Sequence, residues 1–257
     1  FKEHFGSAKE IFQAHHHGRC FYCYGSGPIS HRILTGGDWD THLKEILRQE
    51  ARRYSTGTVV EVGANIGASF LPQCGEMAHL HFVMFEPNPA FYKLLERNKE
   101  SFQLANVELC PYAVSDGESD DVLLLTDDVS GGAGAAGAFC GHYSTVVSKA
   151  TSLDQHFAEE NIILIKVDVD GFELDVLRGA ERLIRRCRPS VLLEFSEDNM
   201  NARGVLPESL LNLLADFGVG VFEVYAGGSG DFIEQTSEPS RVLELAQSQP
   251  PPYSYVD

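Results

Sequence analysis

Apolar positions along this chain switch repeatedly between short β-branched runs and stripes of helical period. TVVEVG (58–63), HFVMFE (81–86), VELCPYAV (107–114), NIILIKVD (161–168), SVLLEF (190–195) and VGVFEVY (219–225) are mostly apolar and predict strands, of which 58–63 and 161–168 read as buried. Helical stripes fall between them. Leu43, Ile46 and Leu47 share one face of a helix predicted from Asp40 to Tyr54, and Gly57 closes that pattern. A second helix should begin near Gly67, and a third after Asn88, which can cap it with Pro89 in the first turn. ELDVLRGAERLIRRC, starting at Glu173, aligns Leu174, Leu177 and Leu183, and LPESLLNLLADFG (206–218) ends on a glycine stop. Strands alternating with helices connect through right-handed crossovers, so the predicted class is α/β, a mostly parallel sheet with helices on both faces.

Two segments break the alternation. Residues 1–40 mix histidine, cysteine, glycine and aromatics without a period, which predicts an accessory segment of short helices and turns packed on a main domain of residues 41–257. Between about 120 and 150, VLLL (122–125) and YSTVVSKA (143–150) predict an inserted hairpin, with SGGAGAAGAFCG (130–141) as a mobile loop.

Composition narrows the partners more than the fold. At 257 residues, 43% hydrophobic and 22% charged, the chain can bury one substantial core. Lys and Arg number 20 against 37 Asp and Glu, and the formal charge of −17 repels a phosphate backbone, so no nucleic-acid partner is expected. A small neutral acceptor such as a sugar hydroxyl is compatible with that charge. The six cysteines are not needed as staples in a chain this long, which favours a reducing compartment. No apolar run reaches the roughly 18 to 20 residues that span a bilayer, and FKEHFGSAKE has no signal-peptide pattern. A cytoplasmic location is expected, with a removed upstream targeting or anchor segment as the alternative, since the chain starts at Phe1.

EVGANIG (61–67) carries the first candidate chemistry: a strand ending in glycine, a tight turn, then a helix start. Without a Cβ, Gly63 lets a ligand approach the backbone, and free N–H groups of a helix near Gly67 suit a carboxylate. Glu61 can accept from an ammonium. A dinucleotide fingerprint would place glycine where Asn65 stands, which disfavours a nicotinamide oxidoreductase. The plainer alternative is a glycine turn that serves packing. Glu86 follows Gly67 by 19 residues, close to the roughly 20-residue spacing that sets an acid on a bound ribose. Alone, Glu86 would read as a solvated strand-end charge. Tyr112 and Ala113 end the third strand where an adenine ring would lie, although Tyr112 equally suits the core.

KVDVDGFE (166–173) is the second rich segment, because Asp168 and Asp170 flank the end of a buried strand and Gly171 forces a turn. A carboxylate there can take a hydroxyl proton, orient the hydroxyl, or bind a divalent cation such as Mg²⁺. Glu173 falls in a first helical turn, where the helix dipole favours it. Glu194 ends the neighbouring strand, which makes Asp168 and Glu194 the candidate metal pair. His15, His16 and His17 stand near Cys20 and Cys23, a set able to hold zinc; one C-x-x-C without regular His spacing reads more simply as an ordinary segment.

EVGANIG, FEPNPAFYKLLERN, AVSD, IKVDVDGFELDVLRGA and LLEF occur in the order found in FkbM-type methyltransferases, and over about residues 58–196 the chain resembles that family. The resemblance implies a Rossmann-like class I methyltransferase fold, usually a seven-stranded sheet with one antiparallel strand. It also implies S-adenosylmethionine-dependent O-methylation of a sugar or natural-product hydroxyl. The implied donor pocket comprises Glu61, Gly63, Ala64, Asn65, Gly67, Ser69, Glu86, Pro87, Asn88, Tyr112, Ala113 and Asp168. The implied reaction cleft holds Lys166, Asp168 and Glu194, with Asp168 first and Glu194 second to orient or deprotonate the acceptor. Asp170 departs from the family, which more often has Glu there. A non-catalytic donor-binding sensor or scaffold is the alternative from another class.

Overall fold

The structure, a computed structural model, describes residues 10–127, 143–226, 229–248 and 255–256. It opens on an antiparallel hairpin, β1 (Ile11–His16) and β2 (Arg19–Tyr24). His17 and Gly18 turn it, both left-handed at φ 48° and 71°, as two-residue hairpin turns require. This corrects the expectation of short helices and turns: among the described residues of that segment, only α1 (Pro28–Leu34) is helical. Helix α2 (Thr41–Arg53) follows as predicted and buries Leu43 and Leu47.

The main sheet begins with β3 (Gly57–Val62). The helix expected near Gly67 is displaced to the four-residue α3 (Leu71–Cys74), because Gly67 at φ 84° leaves helical space and Pro72 fits a first turn. Then come β4 (Leu80–Phe85), α4 (Pro89–Phe102) and β5 (Val107–Cys110). The Asn88 side chain caps α4, accepting from the Ala90 N–H at 3.0 Å. The third strand is shorter than predicted because Pro111 has no N–H to donate. Its continuation, β6 (Ala113–Val114), pairs elsewhere.

The insertion matches its prediction: β7 (Asp121–Asp127) and β8 (Tyr143–Thr151) pair antiparallel, and β6 joins β8 in parallel. The Gly/Ala stretch 130–141 lies outside the described residues. After α5 (Leu153–His156) and β9 (Ile162–Val167), the single predicted helix is two, α6 (Glu173–Arg178) and α7 (Glu181–Cys187). Gly179 separates them, and a Cβ there would collide with the Ser115 carbonyl oxygen. The remainder is β10 (Ser190–Leu193), β11 (Phe195–Ser196), α8 (Glu197–Ala202), α9 (Pro207–Asp216), β12 (Phe222–Tyr225), β13 (Phe232–Thr236), α10 (Pro239–Gln247) and β14 (Tyr255–Val256).

The central sheet holds five parallel strands in the order β10-β9-β3-β4-β5. The family's usual seven strands are not all in it: β12 pairs antiparallel with β13, and β11 with β14, in separate ladders. β12 buries only Val224, so it lacks the two apolar faces of a central strand. Alternation along the central strands builds two cores. Val60, Val62, Phe85, Ile165 and Val167 face α6, α7, α9 and α10. Val59, Phe82, Met84 and Leu164 face α2, α4 and the N-terminal hairpin. The chain runs from β3 toward β5 and later returns to β9 on the other side, so the crevice at the carboxyl ends of β3 and β9 is a topological switch point. Among the described residues no helix is long and apolar enough to cross a membrane, and no two cysteines are bonded.

Candidate active site

The turn after β3 is built on left-handed backbone: Gly63 at φ 86°, Asn65 at 52° and Gly67 at 84°. Asparagine tolerates that region better than most residues, which accounts for its place in the second-glycine slot. Gly63 serves a different purpose from the expected one. A Cβ there would strike the Asp168 carbonyl oxygen, so the glycine allows two loops to cross rather than clearing space for a ligand. Gly67 likewise abuts Leu71 and Leu95.

Glu86 stands just past β4 and ties this turn to the next. Its Oε2 accepts the Asn65 N–H at 2.8 Å and its Oε1 accepts the Asn88 N–H at 2.8 Å. Burial pushes the carboxyl up to about 7; the two N–H bonds oppose that rise and the nearby charge of Asp170 adds to it. One side chain thereby holds the turn after β3 and the turn after β4 together, and each carboxylate oxygen keeps a lone pair for a further donor.

Glu61 and Lys166 are register partners on β3 and β9, both buried, with Nζ 3.7 Å from Oε1. Lys166 Nζ also donates to Asp168 Oδ2 at 2.9 Å. Burial alone would depress the ammonium, but Asp168 and Glu61 outweigh it and keep Lys166 charged. Burial pushes Glu61 up to about 8 against the pull of Lys166. The only member of this trio open to solvent is Asp168, 37% exposed. A buried cation thus fixes one oxygen of a carboxylate whose other oxygen is available to chemistry.

Asp170 occupies left-handed space at φ 50°, and Gly171 follows at 98°, where a Cβ would come within 2.7 Å of the Asn199 carbonyl oxygen. Glu173 braces this bend from beneath: its Oε1 accepts from the Val169 N–H at 3.1 Å and the Gly171 N–H at 3.2 Å. Burial pushes Glu173 up to about 7 despite those bonds.

Most of these groups rim one cleft of about 1620 Å³ at the carboxyl edge of the sheet. It brings together Gly63, Ala64, Asn65, Ser69, Glu86, Pro87, Asn88, Tyr112, Ala113, Lys166, Asp168 and Glu194. Glu61 and Gly67 are not among its lining residues: Glu61 lies beneath Lys166 and Gly67 packs into the core. The Glu194 N–H donates to the Val167 carbonyl at 3.1 Å, which continues the β9–β10 register to the cleft. Asp168 and Glu194 belong to neither group of three close potential metal ligands among the described residues. The zinc set fares no better, because Cys20 and Cys23 sit three apart on β2 and period-two alternation turns them to opposite faces.

Sequence reasoning passed over Asp38, Trp39 and Asp40, which line the same cleft just before α2. Asp40 Oδ2 accepts from the Ser69 hydroxyl at 2.6 Å, joining this strap to the glycine turn. In the sequence Asp40 reads only as the start of the predicted helix. The structure places Asp40 just before the helix, at a left-handed φ of 47° and with no side-chain capping bond.

A parallel sheet with a strand-end glycine turn, a ribose-spaced acid and an acidic bend at the switch point has the architecture of a Rossmann-like class I methyltransferase. Residues 61–219 match the methyltransferase FkbM domain, and the chain belongs to that family. No curated protein matches the sequence. Among solved structures, methyltransferase FkbM from Methylobacillus flagellatus KT is 17% identical with a TM-score of 0.43, over 63% of this chain and 37% of that longer one. Precorrin-6y C5,15-methyltransferase from Geobacter metallireducens GS-15 is 14% identical with a TM-score of 0.40, covering 78% of this chain and 88% of its own. M. jannaschii TYW2, solved in complex with AdoMet, is 13% identical with a TM-score of 0.39, covering 86% and 82%. Membership rests on the sequence match; these likenesses are distant.

Proposed function

We propose that the chain is an S-adenosylmethionine-dependent O-methyltransferase whose acceptor is a hydroxyl of a sugar or another small molecule. The observation that carries this reading is the Lys166–Asp168 pair: a carboxylate at the switch-point crevice, held on one side by a buried ammonium and open on the other. The donor set fits the cofactor. Glu86 has lone pairs to spare for ribose hydroxyls, Ala64 and Ala113 add little bulk, and the acidic rim of Asp40, Asp168, Asp170 and Glu194 suits a cationic ligand. When bound, S-adenosylmethionine supplies an electrophilic sulfonium methyl group and departs as S-adenosylhomocysteine.

The chain's own contribution is alignment and proton handling. Glu86 sets the backbone of both ribose-side loops. Asp168, its Oδ2 pinned by Lys166, presents Oδ1 to the acceptor hydroxyl, orients it and takes its proton as the oxygen attacks the methyl carbon. Glu194, just past the end of the neighbouring strand β10, is the second carboxylate facing the acceptor. Calorimetry with S-adenosylhomocysteine, followed by turnover with a panel of sugars and phenolic alcohols, tests binding and reaction separately. The Asp168→Asn variant should bind the cofactor normally and lose about 100-fold or more in turnover. Wild-type turnover in that variant removes Asp168 from the chemistry. Cofactor binding without product across the panel favours a sensor module instead.

A further inference from the structure

At the tip of the N-terminal hairpin, three side chains converge away from the proposed reaction. His17 Nε2 lies 2.8 Å and His16 Nε2 3.2 Å from the same atom, Asp38 Oδ1, and the three donor atoms all lie within 4.8 Å of one another. Consecutive strand residues point to opposite faces. The left-handed φ of 48° at His17 is what brings two adjacent imidazoles to one carboxylate oxygen.

The other oxygen is already engaged. Lys44 Nζ sits 3.0 Å from Asp38 Oδ2, and Arg32 Nε donates to the Asp38 carbonyl at 3.0 Å. These outer partners fix the carboxylate so that Oδ1 faces the two rings, the arrangement that orients ligands around a metal. His16 is 4% exposed and packs edge-on against Phe21, so its ring is held in place as well. Ligand atoms around tetrahedral zinc, at bond lengths of about 2.0–2.1 Å, stand about 3.3 Å apart. The His16–Asp38 separation of 3.2 Å matches that edge, and the His17–Asp38 separation of 2.8 Å would lengthen by about half an ångström on binding.

We propose that His16, His17 and Asp38 form a binding site for a divalent cation of the zinc class, with two imidazole nitrogens and one carboxylate oxygen as ligands. The bound ion ties the hairpin to the strap that precedes α2. Through Asp40, which accepts from Ser69, that strap reaches the glycine turn. The site uses none of the cysteines that the C-x-x-C suggested. Lys44 stays on the far oxygen as a positioning group, and its charge keeps the affinity below that of an all-thiolate site.

The test uses the full chain stripped with chelator, then titrated with Zn²⁺ against a chromophoric competitor and separately with Co²⁺ while visible absorption is recorded. One equivalent of Zn²⁺ and the intense bands of tetrahedral Co²⁺ are expected. His17→Asn tolerates the left-handed backbone and should weaken binding about tenfold or more, as should Asp38→Asn, both with unchanged circular dichroism. Cys20→Ser and His156→Ala should bind normally; His156 belongs to a second close group with Glu108 and Cys110. The proposal is overturned if the wild-type chain takes up no stoichiometric ion. It is equally overturned if uptake survives both His17→Asn and Asp38→Asn, or disappears in His156→Ala.

Discussion

Replacing Glu86 by glutamine separates two opposing forces on one side chain. The carboxyl accepts two backbone N–H groups at 2.8 Å, yet burial lifts it from its ordinary 4.5 to about 7. The folded chain therefore holds this proton more tightly than the unfolded chain. The associated stability is fully present below pH 4.5 and is lost as pH rises through about 7. At about 1.4 kcal/mol per pKa unit, the loss approaches about 3 kcal/mol. Glutamine has one accepting oxygen, so one N–H loses its partner at a cost of about 1–3 kcal/mol at every pH. In urea denaturation, Glu86→Gln should be less stable than wild type at pH 5, and the gap should close or reverse by pH 8.5. Taking the difference between the two proteins removes the titration of every other group. A gap that widens with pH would mean the N–H bonds outweigh burial, and the account of this site would fail.

Three further outcomes follow from the same geometry. Gly63→Ala forces a side chain into left-handed backbone and onto the Asp168 carbonyl, and thermal melting should show a loss of about 3 kcal/mol or more. Lys166→Met strands Glu61 in the core and should cost about 3–5 kcal/mol by chemical denaturation, with Glu61→Gln added to it restoring part of the loss; an unchanged midpoint would contradict the buried pair. Asn88→Ala removes the α4 cap and should cost about 1 kcal/mol in the same assay, without changing the slope of the denaturation curve.

What the sequence revealed was mostly what period and punctuation encode. Runs such as Ile162–Val167 are apolar on both faces and could only be central strands. Asn88 followed by Pro89 announced a helix start at the right residue. The misplacements have local causes that pattern cannot see. Pro111 cut a strand whose apolar character continued, and Gly179 split a helix because Ser115, distant in sequence, lies against it. In the site, glycine spacing and strand-end acids located the cleft. The roles within it were set by contacts across loops: Gly63 against Asp168, Glu86 between two turns, Lys166 between two carboxylates. Asp38 and Asp40 escaped notice because their importance depends on a hairpin and a turn brought to them by folding.

The crossing of Gly63 beneath Asp168 couples two parts of the molecule that would otherwise adjust independently. A backbone contact that leaves no room for a methyl group acts as a rigid hinge pin. The glycine turn after β3 and the bend after β9 are thereby held at one fixed separation, whatever the cleft between them binds.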